Sequence, residues 1–142
     1  MTQKSVTANG YNLVWVEPIL IDKIGYSKTA TTKIGALLAS SSERLYIRDI
    51  VVVSPDATDT NNIVVDFYVK ASDAATEGAT TTTTVAIGDW IGGTKYVTAN
   101  AGEVQKISVD WLGDAGEDLI ADITVAAGTP TLKFAVYYKK IS

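Results

Sequence analysis

The residues of this chain whose types could do chemistry are its serines, its carboxylates and its tryptophans, because histidine and cysteine are both absent. Without histidine the usual general base near neutral pH is missing. Without cysteine so are the most nucleophilic side chain and the thiolate metal ligand. A Ser-Lys or carboxylate-assisted nucleophile is all that remains. Ser5, Ser27 and the Ser40-Ser41-Ser42 run supply hydroxyls, but no motif frames them. A glycosidase needs only two carboxylates at a set separation, and Asp66 and Asp122 fall mid-strand, opposite the apolar rows, where an outward solvated position is the simpler reading. Calcium takes oxygen ligands alone. Asp56, Asp59, Asn61 and Asn62 cluster in one loop, and Asp114, Glu117 and Asp118 in another. Neither has EF-hand spacing, so both read as turn chemistry. Gly88 and Gly92-Gly93 lack the lysine and spacing of a phosphate loop. The expectation is a protein that is not an enzyme and holds no metal or cofactor.

Charge narrows the partners. Twelve Lys and Arg face sixteen Asp and Glu, a net charge of −4. No basic cluster exists to neutralise phosphates, so neither nucleic acid nor an anionic membrane surface is expected as a partner. Lys139-Lys140 reads as a solvated strand end. Met1 to Val6 has no apolar signal core, and no apolar run is long enough for a spanning helix. Synthesis in the cytoplasm is expected. The absence of cysteine is compatible with any redox environment.

The elements that must position these residues are strands. Residues alternate apolar and polar with a period of two from Asn12 to Ile21, Arg44 to Val53, Ile63 to Lys70, Val104 to Trp111, Leu119 to Val125 and Leu132 to Lys139. Thr31 to Ala39 reads as a strand or, over Ile34 to Ala39, a short helix. Thr80 to Thr84 running into Ile87 reads as a strand by its β-branched residues, and Thr94 to Thr98 as a short one. Alternation in Arg44–Val53 would place Asp49 on the face of Leu45 and Ile47. A bulge after Arg48 or a buried partner for Asp49 resolves this, and the bulge is preferred. Pro18 predicts an edge or a bend. Trp15 and Trp111 lie on strands and read as core. Trp90, in the loop-like Gly88-Asp89-Trp90-Ile91-Gly92-Gly93, is the strongest candidate for an interaction residue.

Eight or nine strands with no amphipathic helix between them argue against parallel βαβ units. They predict an all-β antiparallel sandwich, a jelly roll of about eight strands. The immunoglobulin alternative lacks its Cys…Trp…Cys signature. Residues 11–142 read as one domain, preceded by a polar arm over residues 1–10. In that arm Thr2, Gln3, Lys4 and Ser5 are candidate interaction residues that order on a partner.

Three passages carry a resemblance to a known family. They are Glu43-Arg44-Leu45-Tyr46-Ile47-Arg48-Asp49-Ile50-Val51-Val52, Ile63-Val64-Val65-Asp66-Phe67-Tyr68-Val69, and Gly116-Glu117-Asp118-Leu119-Ile120-Ala121-Asp122-Ile123-Thr124-Val125 with the following Leu132-Lys133-Phe134-Ala135-Val136-Tyr137-Tyr138. The layout resembles the jelly-roll decoration, or cement, proteins of tailed-bacteriophage capsids. That resemblance implies a structural virion protein, assembled in the host cytoplasm, which forms a homo-oligomer such as a homotrimer and clamps the capsid protein lattice. Two other classes stay open: a carbohydrate-binding or receptor-binding sandwich such as a tail-fibre domain, and a small carboxylate-dependent enzyme.

Overall fold

A computed structural model describes the backbone of residues 2–8, 11–17, 20–53, 63–91, 96–98, 104–128 and 131–142, and the side chains of all of these except 2–8, 11–17 and 96–98. Ten strands follow in order: β1 Thr2–Ala8, β2 Tyr11–Glu17, β3 Asp22–Lys28, β4 Thr32–Leu37, β5 Arg44–Val53, β6 Ile63–Lys70, β7 Tyr96–Thr98, β8 Val104–Leu112, β9 Asp118–Val125 and β10 Leu132–Ile141. A 3-10 turn, Ile87–Asp89, interrupts the connection from β6 to β7.

The sandwich has two four-stranded sheets, ordered β3-β10-β5-β8 and β4-β9-β6-β7. The pairings are nested: β6 with β7, β5 with β8, β4 with β9, β3 with β10, all antiparallel. A long hairpin folded at the β6–β7 connection and rolled on itself gives this order. Rolling adds β10 to β5 and β9 to β6. This is jelly-roll topology, as the strand pattern predicts. β1 and β2 form a separate two-stranded sheet, with Thr2 opposite Glu17 and Ala8 opposite Tyr11.

The core lies between the two sheets. β6 alternates without a break: Ile63, Val65, Phe67 and Val69 are buried and Val64, Asp66, Tyr68 and Lys70 are not. Phe67 meets Phe134 of the opposite sheet edge to face, with centroids 5.5 Å apart, and Tyr26 lies 5.3 Å from the same ring. The Tyr26 hydroxyl donates to the carbonyl of Ala36 at 2.6 Å, tying β3 to β4 across the layers. Burial, and then the Glu77 and Tyr138 side chains, push that phenol up to about 12.

Several sequence expectations need correction. The segment expected as an arm contains strand β1, and the strand expected over Asn12–Ile21 is β2 and ends at Glu17, while β3, starting at Asp22, lies beyond it. β3 escaped notice because Ile24 and Tyr26 are its only large apolar residues and Gly25 sits at its middle. An edge strand that buries one face needs no more. Pro18 lies outside the described residues. Residues 32–37 form a strand and no helix. Thr80–Thr84 does not continue as a strand; only Thr80 forms a bridge, to Ile34. Asp49 satisfies both readings offered for it. The β5–β10 register steps from Tyr137 opposite Asp49 to Tyr138 opposite Ile47, leaving Arg48 as the extra residue of a bulge. Asp49 then turns outward with Arg48, yet is only 7% exposed. The Arg48 Nε lies 2.7 Å and the Lys106 Nζ 3.8 Å from its carboxylate. Trp111 is not core: it is 41% exposed. The β5–β8 register jumps between Ser108 and Trp111, with Asp110 at φ 46°, and that irregularity breaks the alternation.

Candidate interaction surfaces

Each sheet has an outer face, and the two differ in chemistry. On the β4-β9-β6-β7 side the connection from β6 to β7 crosses the face and fastens to it. Its backbone runs along the edge of β4: the Gly35 N–H donates to the Ala79 carbonyl at 3.0 Å and the Thr81 N–H to the Lys33 carbonyl at 2.9 Å. An edge that would otherwise offer unpaired groups to another chain is thereby covered. Asp118 holds the same segment. Its carboxylate accepts from the Ala39 N–H at 2.8 Å, the Ser72 N–H at 2.9 Å and the Ser72 hydroxyl at 2.6 Å. Ile120 is fully buried although it points away from the core.

The threonine run is explained by Asp73. The hydroxyls of Thr81 and Thr82 and the Thr82 N–H all donate to its carboxylate, and the Thr83 hydroxyl joins them at 3.2 Å. These donors hold the carboxyl well below the usual carboxylate range. The run is thus a carboxylate cradle made from β-branched residues, a pattern that propensity alone reads as strand.

Trp90 follows the 3-10 turn. Where β7 stops, Trp90 bridges Tyr68 and the Ile91 N–H donates to the Phe67 carbonyl at 3.1 Å, so this pair continues the edge of β6. Ile91 enters the core and Trp90 points outward, stacked on Tyr68 with ring centroids 6.3 Å apart and planes 18° from parallel. Its indole nitrogen is buried with no hydrogen-bond partner among the described residues. Desolvation, then the Asp66 and Asp122 carboxylates, raise the Tyr68 phenol above its ordinary value. A cleft of about 260 Å³ lies between Asp66, Tyr68, Val85, Ala86, Ile87 and Trp90. The turn carrying it is fixed by Asp89, which accepts from the Ala86 N–H at 2.9 Å and pairs with Lys70 at 3.5 Å. Ile87 at its tip is 79% exposed.

Asp66 and Asp122 stand directly opposite each other on β6 and β9, with Lys33 opposite Asp122 on the far side. They are half-buried rather than fully solvated. Like charges directly opposed across strands disfavour the pairing, and the ammonium-bearing Lys33 in the same cross-strand row offsets this. Of the acidic residues singled out from the sequence, Asp114 pairs with Arg44 at 3.7 Å and Asp118 serves the backbone donors above. Burial, then contact with Asp114, raises the Glu117 carboxyl. Asp56, Asp59, Asn61 and Asn62 lie outside the described residues. Thr2, Gln3, Lys4 and Ser5 lie on β1, opposite Glu17, Val16, Trp15 and Val14, and their side chains are outside the described set.

The outer face of β3-β10-β5-β8 is open and basic. Phe134 and Val136 face the core, so Lys133, Ala135 and Tyr137 face out. Gly25, Ala135 and Val51 align in one cross-strand row. With Ser27 and Val53 they floor a trough of about 400 Å³, rimmed by Lys23 and Lys133. Lys23 lies 6.0 Å and Arg48 5.4 Å from the centre of the Tyr137 ring. Sequence reading missed this surface, because its cations are spread over three strands and meet only through register.

No protein-family model matches the chain, and no curated protein matches it. Similar solved structures include the following three. The SPBc2 prophage-derived protein YomS is 17% identical, with 86% of this chain and 98% of that chain covered and a TM-score of 0.36. A chain of the acidic stable capsid structure of Helicobacter pylori bacteriophage KHP30 is 14% identical, with 86% and 97% covered and a TM-score of 0.38. A chain of the infectious bursal disease virus Gx strain structure is 9% identical, with 96% and 37% covered and a TM-score of 0.31. At these TM-scores the likenesses carry no argument about function.

Proposed function

We propose that the chain is a structural virion protein, without enzymatic activity, that decorates and stabilises a phage capsid by binding its protein lattice as a homo-oligomer. The observation that carries this reading is the β1–β2 hairpin. Its two seven-residue strands pair only with each other among the described residues, while the sandwich is complete without them. An isolated two-stranded hairpin is marginal in water, so a partner surface is what would hold it. The jelly roll supplies a rigid body behind it, and the sequence resemblance names the kind of partner; fold alone does not give function. A carbohydrate-binding reading has one observation in its favour, the Tyr68–Trp90 pair beside Asp66. Those rings stack on each other, which leaves less open aromatic face for a sugar.

Co-sedimentation with capsids of the same virus tests the proposal. The intact chain is expected to travel with the particles. Deletion of residues 1–17 is expected to abolish that binding while the circular dichroism and melting temperature of the sandwich persist. Capsid binding that survives this deletion contradicts the role of the hairpin. Specific glycan binding by a chain that ignores capsids, lost in Trp90→Ala, promotes the carbohydrate module instead.

A further inference from the structure

On the outer face of β3, β10 and β5 three cross-strand rows lie side by side: Lys23–Tyr137–Asp49, Gly25–Ala135–Val51 and Ser27–Lys133–Val53. The middle row floors the trough of about 400 Å³. It is low because Gly25 has no side chain and Ala135 has a short one. Lys23 stands one row to one side of it and Lys133 one row to the other. Successive rows are two residues apart along each strand, about 7 Å. Asp49, in the first row, is 7% exposed and already holds Arg48 and Lys106. Lys23 and Lys133 have no ion-pair partner among the described residues. A ligand that completes this surface is therefore apolar at its centre and anionic on both sides. Two features favour a protein segment over a nucleic acid. The floor is aliphatic, and Tyr137 has Lys23 and Arg48 over its ring in place of a base. Two lysines in a chain of net charge −4 neutralise few phosphates. An extended peptide has the matching repeat, since its residues i−2, i and i+2 point to one side at the same spacing of about 7 Å.

We propose that the trough takes an extended segment of a partner protein in which an apolar residue is flanked, two positions away on each side, by Asp or Glu. The apolar side chain sits on Gly25, Ala135 and Val51, and the two carboxylates meet Lys23 and Lys133. The inference rests on the proposed function for the identity of that partner, the capsid lattice, and adds the chemistry of the contact. Burial of the apolar floor supplies affinity, and the lysines set register and speed encounter.

The test is an NMR titration of the full chain with a short peptide carrying aspartate two residues either side of a central leucine, and with the same peptide carrying lysine in place of aspartate. The aspartate peptide is expected to move the Gly25, Val51 and Ala135 amide signals saturably, and the lysine peptide to leave them in place. Gly25→Leu fills the floor. An added Cβ there meets nothing closer than the Phe134 carbonyl oxygen at 3.7 Å, so the strand accommodates it. That variant is expected to bind the aspartate peptide about tenfold more weakly, and so is Lys23→Glu with Lys133→Glu, which serves should Gly25→Leu fail to fold. No saturable shift, equal shifts with both peptides, or unchanged affinity in the variants overturns the inference. So does a single-stranded oligonucleotide that moves these amides where the aspartate peptide does not. Self-association of the wild type that Gly25→Leu abolishes puts a second copy in the trough and overturns it equally. Capsid co-sedimentation of the same variants is read in parallel, and both are expected to bind less than the wild type. Capsid binding unchanged in both contradicts this contact alone. A wild type that takes the aspartate peptide as described but ignores capsids contradicts the virion reading alone.

Discussion

Asp118, 6% exposed, opens β9 with its carboxylate accepting from three donors, two of them backbone N–H groups from separate segments. Asp118→Ala leaves those donors without their acceptor. Hydrogen bonds to a charged group contribute roughly 1.5–3 kcal/mol each and unmet buried donors add to the loss, so the substitution should destabilise by about 2–5 kcal/mol. Urea unfolding measures it. Tyr26 makes a second test at this scale. Burial pushes its phenol up to about 12 from the ordinary 10.0, so the folded state holds this proton more tightly than the unfolded state does. The resulting stabilisation is fully present below pH 10 and is lost as pH rises toward 12. The melting temperature of the wild type should therefore fall more steeply across that window than that of Tyr26→Phe. Near neutral pH the variant should be about 1 kcal/mol less stable through loss of the bond to Ala36. Parallel melting curves for the two proteins above pH 10 would contradict this account of Tyr26.

Among the elements, β4 and the segment crossing it form one unit. Gly35 allows the close approach: a Cβ there would lie 2.6 Å from the Ala74 Cβ. Gly35→Ala must push residues 72–79 off the sheet or bend β4. Overpacking of this kind costs roughly 1–3 kcal/mol. Amide exchange at Gly78 and Thr81, whose N–H groups donate to β4, should quicken in the variant, while exchange in β10 stays unchanged. Unchanged exchange at both amides would refute the coupling. Where alternation is unbroken, as in β6 and β10, the strands could be read from the sequence almost residue by residue, and the jelly roll followed from their number. Elements whose order comes from long-range partners could not. β3 buries only one face. The Thr80–Thr84 run serves Asp73 rather than a ladder. The phase of Trp111 is set by a backbone irregularity beside it. Trp90 could be picked out from its glycine-rich setting, but its stack on Tyr68 and the knob at Ile87 depend on where the 3-10 turn lands. The basic trough depends on the pairing of β3, β10 and β5, which no local pattern encodes.

At the scale of the whole molecule, the chain joins a closed core to unlike outer surfaces. Among the described residues, nineteen buried apolar side chains make one cluster between the sheets, and burial of that kind stabilises a domain of this size without cross-links. On one outer face Lys23 and Arg48 lie over Tyr137 and Lys133 rims the trough; on the other Lys33 stands beside Asp122 and Lys70 pairs with Asp89. The hairpin outside both sheets suits contact with a larger partner surface. The proposed place of this chain is in a virus particle. Quantitative mass spectrometry of gradient-purified virions tests it most directly. The account predicts peptides of this chain in the particle band, in a fixed ratio to the major capsid protein that persists through repeated gradients. Particles that lack the chain, or that lose it at the first gradient while their capsid protein is retained, would contradict the account.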